Sequence, residues 1–256
     1  MDGEQVAFII AGVQKGGTTA LFSYLGEEPG LSLSREKEVH FFDDEAQDWA
    51  APDHGAYHAH FAPPDGRLRG EATPIYLYWP NSLERIRAYN PAMKLMIMLR
   101  DPVDRAWSHW KMEYARGVET KAFAWCIREG RQRLFAAEPS NAKPPNAKPW
   151  GFDRELSYVE RGFYGEQMER LLGLFPRQQL LILKSGDLRR DPGATLGEVR
   201  AFLGLPKGAA PAPREVHVGR DMDYGAELTA HDIAHLRSLY ARDAERLADL
   251  AGVRFA

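Results

Sequence analysis

The chain carries three uninterrupted apolar runs, and each of them predicts a strand that is buried on both faces. They lie at residues 6–11, 94–99 and 180–183, and a shorter, weaker candidate lies at residues 31–34. Apolar residues without alternation are typical of strands in a parallel sheet, because helices cover both faces of such a sheet. The runs therefore indicate a parallel sheet.

Helical periodicity fills the intervals between these strands. Apolar residues recur there every three or four positions, as in a helix with one buried face. Such segments lie at 19–25, 82–89, 102 onwards, 123–135, 163–175, 192 onwards and 229 onwards. The alternation of strands and helices predicts a single α/β domain over residues 1–256, with a central parallel sheet flanked by helices.

The first strand ends in a glycine-containing turn from which the first helix begins. Gly16 and Gly17 are preceded by Lys15 and followed by Thr18 and Thr19. A helix N-terminus attracts anions through its free N–H groups, glycines let the backbone approach closely, and lysine adds a full charge. The pattern predicts a phosphate-binding loop, with an ordinary turn and a solvated lysine as the alternative.

The order of residues in this loop differs from that of the common ATPase and GTPase loop. There, a glycine, four residues, a second glycine and a lysine follow in sequence. Counted from Gly12, Gly17 fits the second glycine, but Thr18 stands in the place of the lysine. We therefore expect a P-loop-like nucleotide site that transfers a group other than a γ-phosphate.

Overall composition limits the class of protein further. The chain has 33 Lys and Arg against 36 Asp and Glu, a net charge of -3, which argues against a general nucleic-acid binder. Cys126 is the only cysteine, so no intrachain disulfide can form. The apolar run at residues 6–13 is too short to span a bilayer and lacks the basic flank of a signal peptide. We expect a cytoplasmic protein with no membrane segment, and no pattern indicates its oligomeric state.

Two further segments place charged groups beside apolar ones. Arg100 directly follows the strand at 94–99, where open α/β sheets bind ligands, and Ser108 lies two turns into the next helix. Glu38 and His40 alternate with apolar residues that must be anchored, which would hold both side chains rigidly. Glu38 can then act as a general base, provided that burial moves its pKa toward the working pH.

Two loops are candidates for shaping a substrate pocket. Residues 139–150 are rich in proline and contain Asn-Ala-Lys-Pro twice, which is typical of a lid or a plain flexible insertion. Residues 49–66 hold three histidines among prolines and glycines. We expect no metal site there, because no cysteine or carboxylate cluster accompanies them.

Four ordered motifs give the chain a resemblance to a known family. They are Lys-Gly-Gly-Thr-Thr at 15–19, Lys-Glu-Val-His-Phe-Phe at 37–42, Gly-Glu-Ala-Thr-Pro at 70–74 and Leu-Arg-Asp-Pro-Val-Asp-Arg at 99–105. In this order they resemble the sulfotransferases that use 3′-phosphoadenosine 5′-phosphosulfate (PAPS). The branch most similar is that of the heparan sulfate N- and O-sulfotransferases and their bacterial relatives.

The resemblance implies a role for each candidate residue. Lys15, Gly16, Gly17, Thr18 and Thr19 would bind the 5′-phosphosulfate, with Lys15 neutralising charge on the bridging oxygen as the sulfuryl group leaves. Arg100 and Ser108 would bind the 3′-phosphate. Glu38 would take the proton of the acceptor hydroxyl, and His40 would help to position the acceptor. The product would be adenosine 3′,5′-bisphosphate (PAP), and no metal is required.

Weaker expectations concern the adenine and the acceptor. Tyr164 would stack near the adenine unless it only packs its helix, and Arg220 would reach the 3′-phosphate unless it is a surface residue. Heparan O-sulfotransferases commonly have a lysine that contacts the acidic sugar where this chain has Ala72. That difference favours a small metabolite or a simpler carbohydrate as acceptor. Golgi members of the family carry a disulfide that a chain with one cysteine cannot form, so the resemblance implies a soluble bacterial type of enzyme.

Two other functions remain open from sequence. A phosphotransferase with an unusual loop would bind ATP with magnesium. A non-catalytic nucleotide-binding protein would keep the fold without needing the base Glu38.

Overall fold

A parallel sheet of five strands forms the framework of the described chain, which comprises residues 5–136, 152–211 and 222–255 of a computed structural model. The strand order is β2-β3-β1-β4-β5 and every neighbouring pair is parallel. The strands are β1 Phe8–Gly12, β2 Leu31–Leu33, β3 Leu68–Ala72, β4 Lys94–Leu99 and β5 Leu180–Lys184. The parallel α/β fold predicted from the apolar runs is thereby confirmed.

The register of the sheet brings the ends of the strands to one edge. Phe8 pairs with Gly70 of β3 on one side and with Lys94 of β4 on the other. Since all strands run in the same direction, the segments that follow them share the carboxyl edge, where open α/β sheets bind ligands. The phosphate-loop candidate after β1 and Arg100 after β4 both begin at this edge.

β3 is the one strand of this sheet that the apolar pattern did not predict. Its burial is nearly complete although Arg69 and Glu71 are charged. Gly70 is required at its centre, because a Cβ there would lie 2.1 Å from the ring of Phe8. A glycine is therefore required at the centre of β3. The charged side chains of Arg69 and Glu71 can be buried there because both form hydrogen bonds within the protein.

Most of the helices coincide with predicted segments, but three short ones, at 54–58, 152–155 and 185–190, lie where no helix was predicted. They are α1 Thr18–Leu25, α2 His54–His58, α3 Ser82–Tyr89, α4 Pro102–Ala115, α5 Phe123–Cys126, α6 Arg133–Ala136, α7 Phe152–Glu155, α8 Tyr164–Leu174, α9 Ser185–Arg190, α10 Pro192–Leu203 and α11 Ala230–Ala251. The single helix predicted over 123–135 is wrong. A 3₁₀ turn at Glu129–Gln132 separates α5 from α6, and at Gly130 a Cβ would lie 2.8 Å from the ring of Trp125.

The described residues form two compact units, and the sheet belongs to the first. This unit draws on residues 1–43, 47–100 and 170–218. Side chains of β1, β4, α1 and α10 make one of its apolar clusters, and each fully buried one stabilises the fold by roughly 1.5–3 kcal/mol. Members of the cluster include Phe8, Ile10, Leu21, Leu25, Met96, Met98, Leu196 and Val199.

The second unit is mainly helical and draws on residues 44–46, 101–169 and 219–256. Its core contains α4, α5 and α11, with Trp107 and Trp110 stacked at 4.9 Å between ring centroids. Cys126 is buried there and its thiol donates to Glu119 at 3.2 Å. Burial and the Glu119 charge raise the pKa of this thiol to about 12, so it stays neutral, as a structural cysteine does.

No helix within the described ranges is long and apolar enough to cross a membrane.

Candidate active site

The loop between β1 and α1 is a tight turn beneath β4. The Val13 N–H donates to the Met98 carbonyl at 3.0 Å, and the Gly16 N–H donates to the Val13 carbonyl at 2.8 Å. A Cβ at Gly16 would lie 2.3 Å from the Met98 oxygen. Gly17 has a φ of 93°, which side chains rarely allow. Both glycines are thus required by the turn itself.

This turn leads directly into the N-terminus of α1. The N-cap residue is Gly17, which supplies no side-chain cap, and the first turn of the helix contains no acidic residue. Thr18 is buried, whereas Thr19 is half-buried and carries a second hydroxyl. An uncapped helix N-terminus bears partial positive charge and N–H donors, so the loop is suited to a phosphate or sulfate group.

The three residues predicted to act in catalysis share an unusual backbone conformation. Lys15, Glu38 and His40 have φ values of 67°, 68° and 56°, and Asn81 is the other non-glycine residue with positive φ in the described ranges. Such a conformation costs roughly 1–2 kcal/mol per residue. It persists where surrounding contacts fix it, and such residues concentrate at functional sites.

Glu38 lies between two cationic partners. Its carboxylate is 2.5 Å from Lys37 Nζ and 3.6 Å from His40 Nε2, and its side chain is 42% exposed. Partial burial opposes ionisation, but the hydrogen bonds and charges of His40 and Lys37 outweigh it and lower the pKa of Glu38 to about 2. The upward shift that the sequence argument required for a general base is therefore absent, because two cations lie beside the carboxylate.

His40 is held from its other side by a carboxylate that the sequence argument did not include. Its Nδ1 atom lies 2.9 Å from Oδ2 of Asp43, whose side chain is fully buried. With Glu38 near Nε2 and Asp43 at Nδ1, both ring nitrogens face acceptors, which suits an imidazolium that donates from each. The spacing His-x-x-Asp at residues 40–43 is the feature of the sequence that could have indicated this contact.

Apolar anchors fix the segment that carries these side chains. Val39, Phe41 and Phe42 are all buried, as predicted from the alternation. The Phe41 ring stacks on Tyr57 at 4.7 Å, and the Phe42 ring meets Tyr57 edge-on at 5.0 Å. In addition, the Glu38 N–H donates to the carbonyl of Ala72 at 2.9 Å, which ties the segment to the end of β3.

Asp101 caps α4. Its Oδ1 atom accepts from the N–H groups of Val103 at 2.9 Å and Asp104 at 3.1 Å, and Oδ2 pairs with Arg237 at 2.6 Å. Arg100, at the end of β4, and Ser108, on α4, are both half-buried.

Tyr164 is packed inside the second unit. It is 1% exposed, and its ring lies 6.4 Å from that of Phe255 beside a cavity of about 260 Å³. This is the helix-packing alternative that the sequence left open, and stacking on an adenine stays a prediction. Arg220 and the candidate lid at 139–150 lie outside the described residues.

The three histidines of the 49–66 segment contact different residues. His58 Nε2 lies 2.8 Å from the Tyr89 hydroxyl, His60 pairs with Glu36, and His54 meets the Tyr89 ring edge-on. Within the part of the chain that the structure describes, no group of three or more His, Cys, Asp and Glu could hold a metal ion.

Comparison with known proteins agrees with this arrangement. The family model of the sulfotransferase domain matches residues 6–217. The chain belongs to the sulfotransferase domain family. It is 30% identical over 202 residues to the human heparan sulfate glucosamine 3-O-sulfotransferases 3B1 and 3A1, a match that covers 78% of this chain. The chain spans only 46% and 44% of the length of those two relatives.

Solved structures extend the likeness of this sulfotransferase-family chain to nearly its full length. A sulfotransferase from Alicyclobacillus acidocaldarius is 27% identical with a TM-score of 0.77, and the match covers 98% of this chain and 97% of that one. The sulfotransferase domain of the Synechococcus PCC 7002 olefin synthase has a TM-score of 0.51 at 15% identity, covering 91% and 94%, and shares the fold. The resemblance drawn from the four motifs is confirmed.

Proposed function

We propose that this protein transfers a sulfuryl group from PAPS to a hydroxyl group of a small metabolite or carbohydrate. The observation that carries the proposal is the uncapped phosphate loop after β1, with Lys15 in it, on the same sheet edge as the Glu38–His40 segment. The loop is suited to bind the phosphosulfate group of PAPS, and the Glu38–His40 segment is suited to orient and deprotonate a hydroxyl group. Family membership supports sulfuryl transfer over other group transfers.

We assign binding of the sulfuryl donor to the β1–α1 loop. N–H groups at the start of α1 and the hydroxyls of Thr18 and Thr19 bind the 5′-phosphosulfate. Lys15 neutralises the charge that develops on the bridging oxygen when the S–O bond breaks. For the 3′-phosphate we keep the assignment of Arg100 and Ser108 that the family motif implies. The scheme requires no metal.

The acceptor end falls to Glu38 and His40. Glu38 is fully ionised at neutral pH because its pKa is about 2, so it is ready to accept a proton. It is a weak base, however, and proton transfer must accompany formation of the O–S bond, which makes the attacking hydroxyl strongly acidic. His40, held by Asp43, orients the acceptor oxygen toward sulfur for in-line attack.

The nature of the acceptor is argued from two observations. The curated relatives are named for a sugar hydroxyl, the 3-O position of glucosamine in heparan sulfate. In this chain Ala72 is fully buried in an apolar cluster and offers no cation to a polyanion. We therefore propose that the acceptor is the hydroxyl group of a carbohydrate or a small metabolite. We also propose a reducing, cytoplasmic setting, because the chain has a single cysteine.

A thermal-shift titration tests the donor. A ligand that binds only the folded state at a hundred times its Kd stabilises by about 2.7 kcal/mol. We expect PAP without metal to raise the melting temperature, and ATP with magnesium to have little effect. Stabilisation by ATP with magnesium but not by PAP would contradict the proposed sulfuryl transfer and would favour phosphoryl transfer.

The acceptor is tested by incubating the protein with ³⁵S-labelled PAPS and pooled acceptors, with simple sugars, phenols and lipids in separate pools. With the wild-type protein we expect label in the sugar pool. With the Glu38→Gln variant we expect little or no label in any pool. Stabilisation by PAP with no label in any pool would indicate a nucleotide-binding protein that performs no transfer.

A further inference from the structure

A buried carboxylate lies directly beneath the Glu38–His40 segment and has no place in the reaction scheme. Glu71, on β3, is fully buried and accepts hydrogen bonds from three hydroxyl groups. The donors are Tyr57 at 2.9 Å, Thr73 at 2.5 Å and Tyr76 at 3.2 Å. A buried carboxylate is stable only when its oxygens are satisfied in this way, so the three hydroxyl protons are directed inward.

The direction of these protons determines what the hydroxyls can do on their other side. A tyrosine hydroxyl has one proton, and that of Tyr76 is given to Glu71. Its oxygen is thereby left as an acceptor, and it receives the N–H groups of Phe41 at 3.0 Å and Phe42 at 3.4 Å. Thr73 Oγ1 lies 3.5 Å from the N–H of His40.

The amides held in this way lie within or just after the strained stretch of backbone. Glu38 and His40 both have positive φ, a conformation that the chain keeps only under external constraint. The other end of the held segment is also fixed, because the Phe42 carbonyl accepts from Ser82 at 3.2 Å and Arg85 at 3.0 Å. The amides of His40, Phe41 and Phe42 are thus the point at which the Glu71 cluster controls the segment.

We propose that Glu71 is a positioning residue which, through the hydroxyls of Tyr76 and Thr73, holds the backbone of residues 38–42 in the conformation that presents Glu38 and His40 to the acceptor. Its catalytic consequence rests on the proposed sulfuryl transfer. The positioning itself is a property of the folded chain and can be measured without any substrate.

Two tyrosines on the same carboxylate provide a matched pair of variants. Tyr76→Phe removes a hydroxyl that contacts both Glu71 and the segment. Tyr57→Phe removes one that donates to Glu71 at 2.9 Å and makes no hydrogen bond to the described residues 38–42, and its ring can keep its stack on Phe41. Both variants cost one hydrogen bond to a buried carboxylate, so a merely structural role predicts similar effects for both.

Hydrogen exchange of the full-length chain tests the positioning. We expect the amides of Phe41 and Phe42 to lose protection by roughly tenfold in Tyr76→Phe and in Glu71→Gln, as the loss of one hydrogen bond implies. In Tyr57→Phe these amides are expected to stay protected. Equal loss in both tyrosine variants, or none in Tyr76→Phe, would overturn the proposal whatever the protein catalyses.

Turnover of labelled PAPS with the sugar pool tests the consequence. A small displacement of reacting groups lowers kcat by roughly 10- to 100-fold, which we expect for Tyr76→Phe with unchanged affinity for PAP. In a Glu38→Gln background the same substitution should have a smaller effect on kcat, because one of the two groups being positioned is gone. Multiplicative losses in the double variant would show that Tyr76 acts on something other than Glu38. A wild-type protein that transfers no sulfuryl group would refute the proposed function, while the exchange result would still decide the positioning.

Discussion

The Nδ1 atom of His40 lies 2.9 Å from the fully buried carboxylate of Asp43, while Nε2 faces Glu38 at 3.6 Å. The histidine is therefore held between a hidden acceptor and an exposed one. A buried charge next to an imidazole fixes both the orientation of the ring and its charge.

Replacing the hidden acceptor should harm turnover more than donor binding. Asp43→Asn preserves the side-chain volume but removes the charge that supports an imidazolium, and we expect kcat to fall at least about tenfold. The affinity for PAP, measured by thermal shift, should stay the same. Asp48→Asn is the control, because Asp48 is exposed and its carboxylate accepts from the neighbouring Ala50 N–H at 3.0 Å. An equal loss in both variants would contradict a specific role for Asp43.

The two ends of the reaction can be separated by substitution of Glu38. Glu38→Gln retains the shape of the side chain but cannot accept the proton, and general bases contribute typically 10²- to 10⁴-fold to the rate. We expect kcat to fall within that range while PAP still stabilises the fold. Full activity of the variant would remove Glu38 from its role.

Lys15 combines charge with an unfavourable backbone angle, so two substitutions give different results. Lys15→Ala and Lys15→Gly both remove the charge, and we expect each to lower kcat by roughly 10²- to 10³-fold and to weaken PAP binding. Because φ is 67° at this position, glycine should be more stable than alanine by roughly 1 kcal/mol in urea unfolding. Equal stability would mean that the turn has another conformation in solution.

The close approach of Gly16 to β4 predicts a strict requirement for glycine. Gly16→Ala would place a methyl group 2.3 Å from the Met98 oxygen, and overpacking of this kind costs typically 1–3 kcal/mol. PAP binding should weaken as the loop shifts. Gly173→Ala is the matched control, since a Cβ there would meet no described atom within 4 Å beyond its neighbours in the same helix, and alanine favours a helix. We expect that control to be as stable as the wild type or slightly more so.

The stability of the protein should depend on pH in two separate windows. Burial raises the pKa of Glu71 to about 7, against the ordinary value of 4.5, although three hydroxyl hydrogen bonds oppose the shift. The folded state therefore binds a proton more tightly than the unfolded chain, and stability decreases as the pH rises from 4.5 to 7. Urea unfolding of wild type and Glu71→Gln should show this slope in the wild type only, with a total on the order of 3 kcal/mol.

The second window belongs to Glu38, whose pKa is lowered to about 2 despite partial burial, because His40 and Lys37 stabilise the ionised form. This stabilisation is complete above pH 4.5 and is lost as the pH falls toward 2. Glu38→Gln should abolish that acid-side loss without altering the window between pH 4.5 and 7. A single slope shared by both variants would show that the two carboxylates titrate together.

Local patterns in the sequence were sufficient where an element is defined by its own residues. The strand Lys94–Leu99 and the helix Ser82–Tyr89 have the predicted bounds, because Asn90 and Pro91 end the helix and the apolar run needs no partner to be recognised. The tight turn after β1 was equally readable, since its glycines act through their own geometry, while phosphate binding by this loop stays a prediction.

What could not be predicted depends on contacts between distant segments. Glu71 is a charged residue in the middle of a buried strand, and its place is explained only by hydroxyls from Tyr57 and Tyr76. Likewise, the low pKa of Glu38 follows from where the Lys37 and His40 side chains point. The motif selected the candidate residues, but the ionisation of Glu38 required the three-dimensional arrangement.

The strand order has a consequence for how such a chain can change over time. β1 is the central strand, with β3 and β4 on either side, so the loop that follows it begins between two paired strands. Glu38 and the 49–66 segment instead belong to the connection between the edge strand β2 and β3. Tyr57 ties this connection to Glu71 of β3, but its exposed residues can change without disturbing the sheet. Under the proposed function, a new acceptor can therefore be accommodated by changes in one peripheral connection, while the loop proposed to bind the sulfuryl donor stays unchanged.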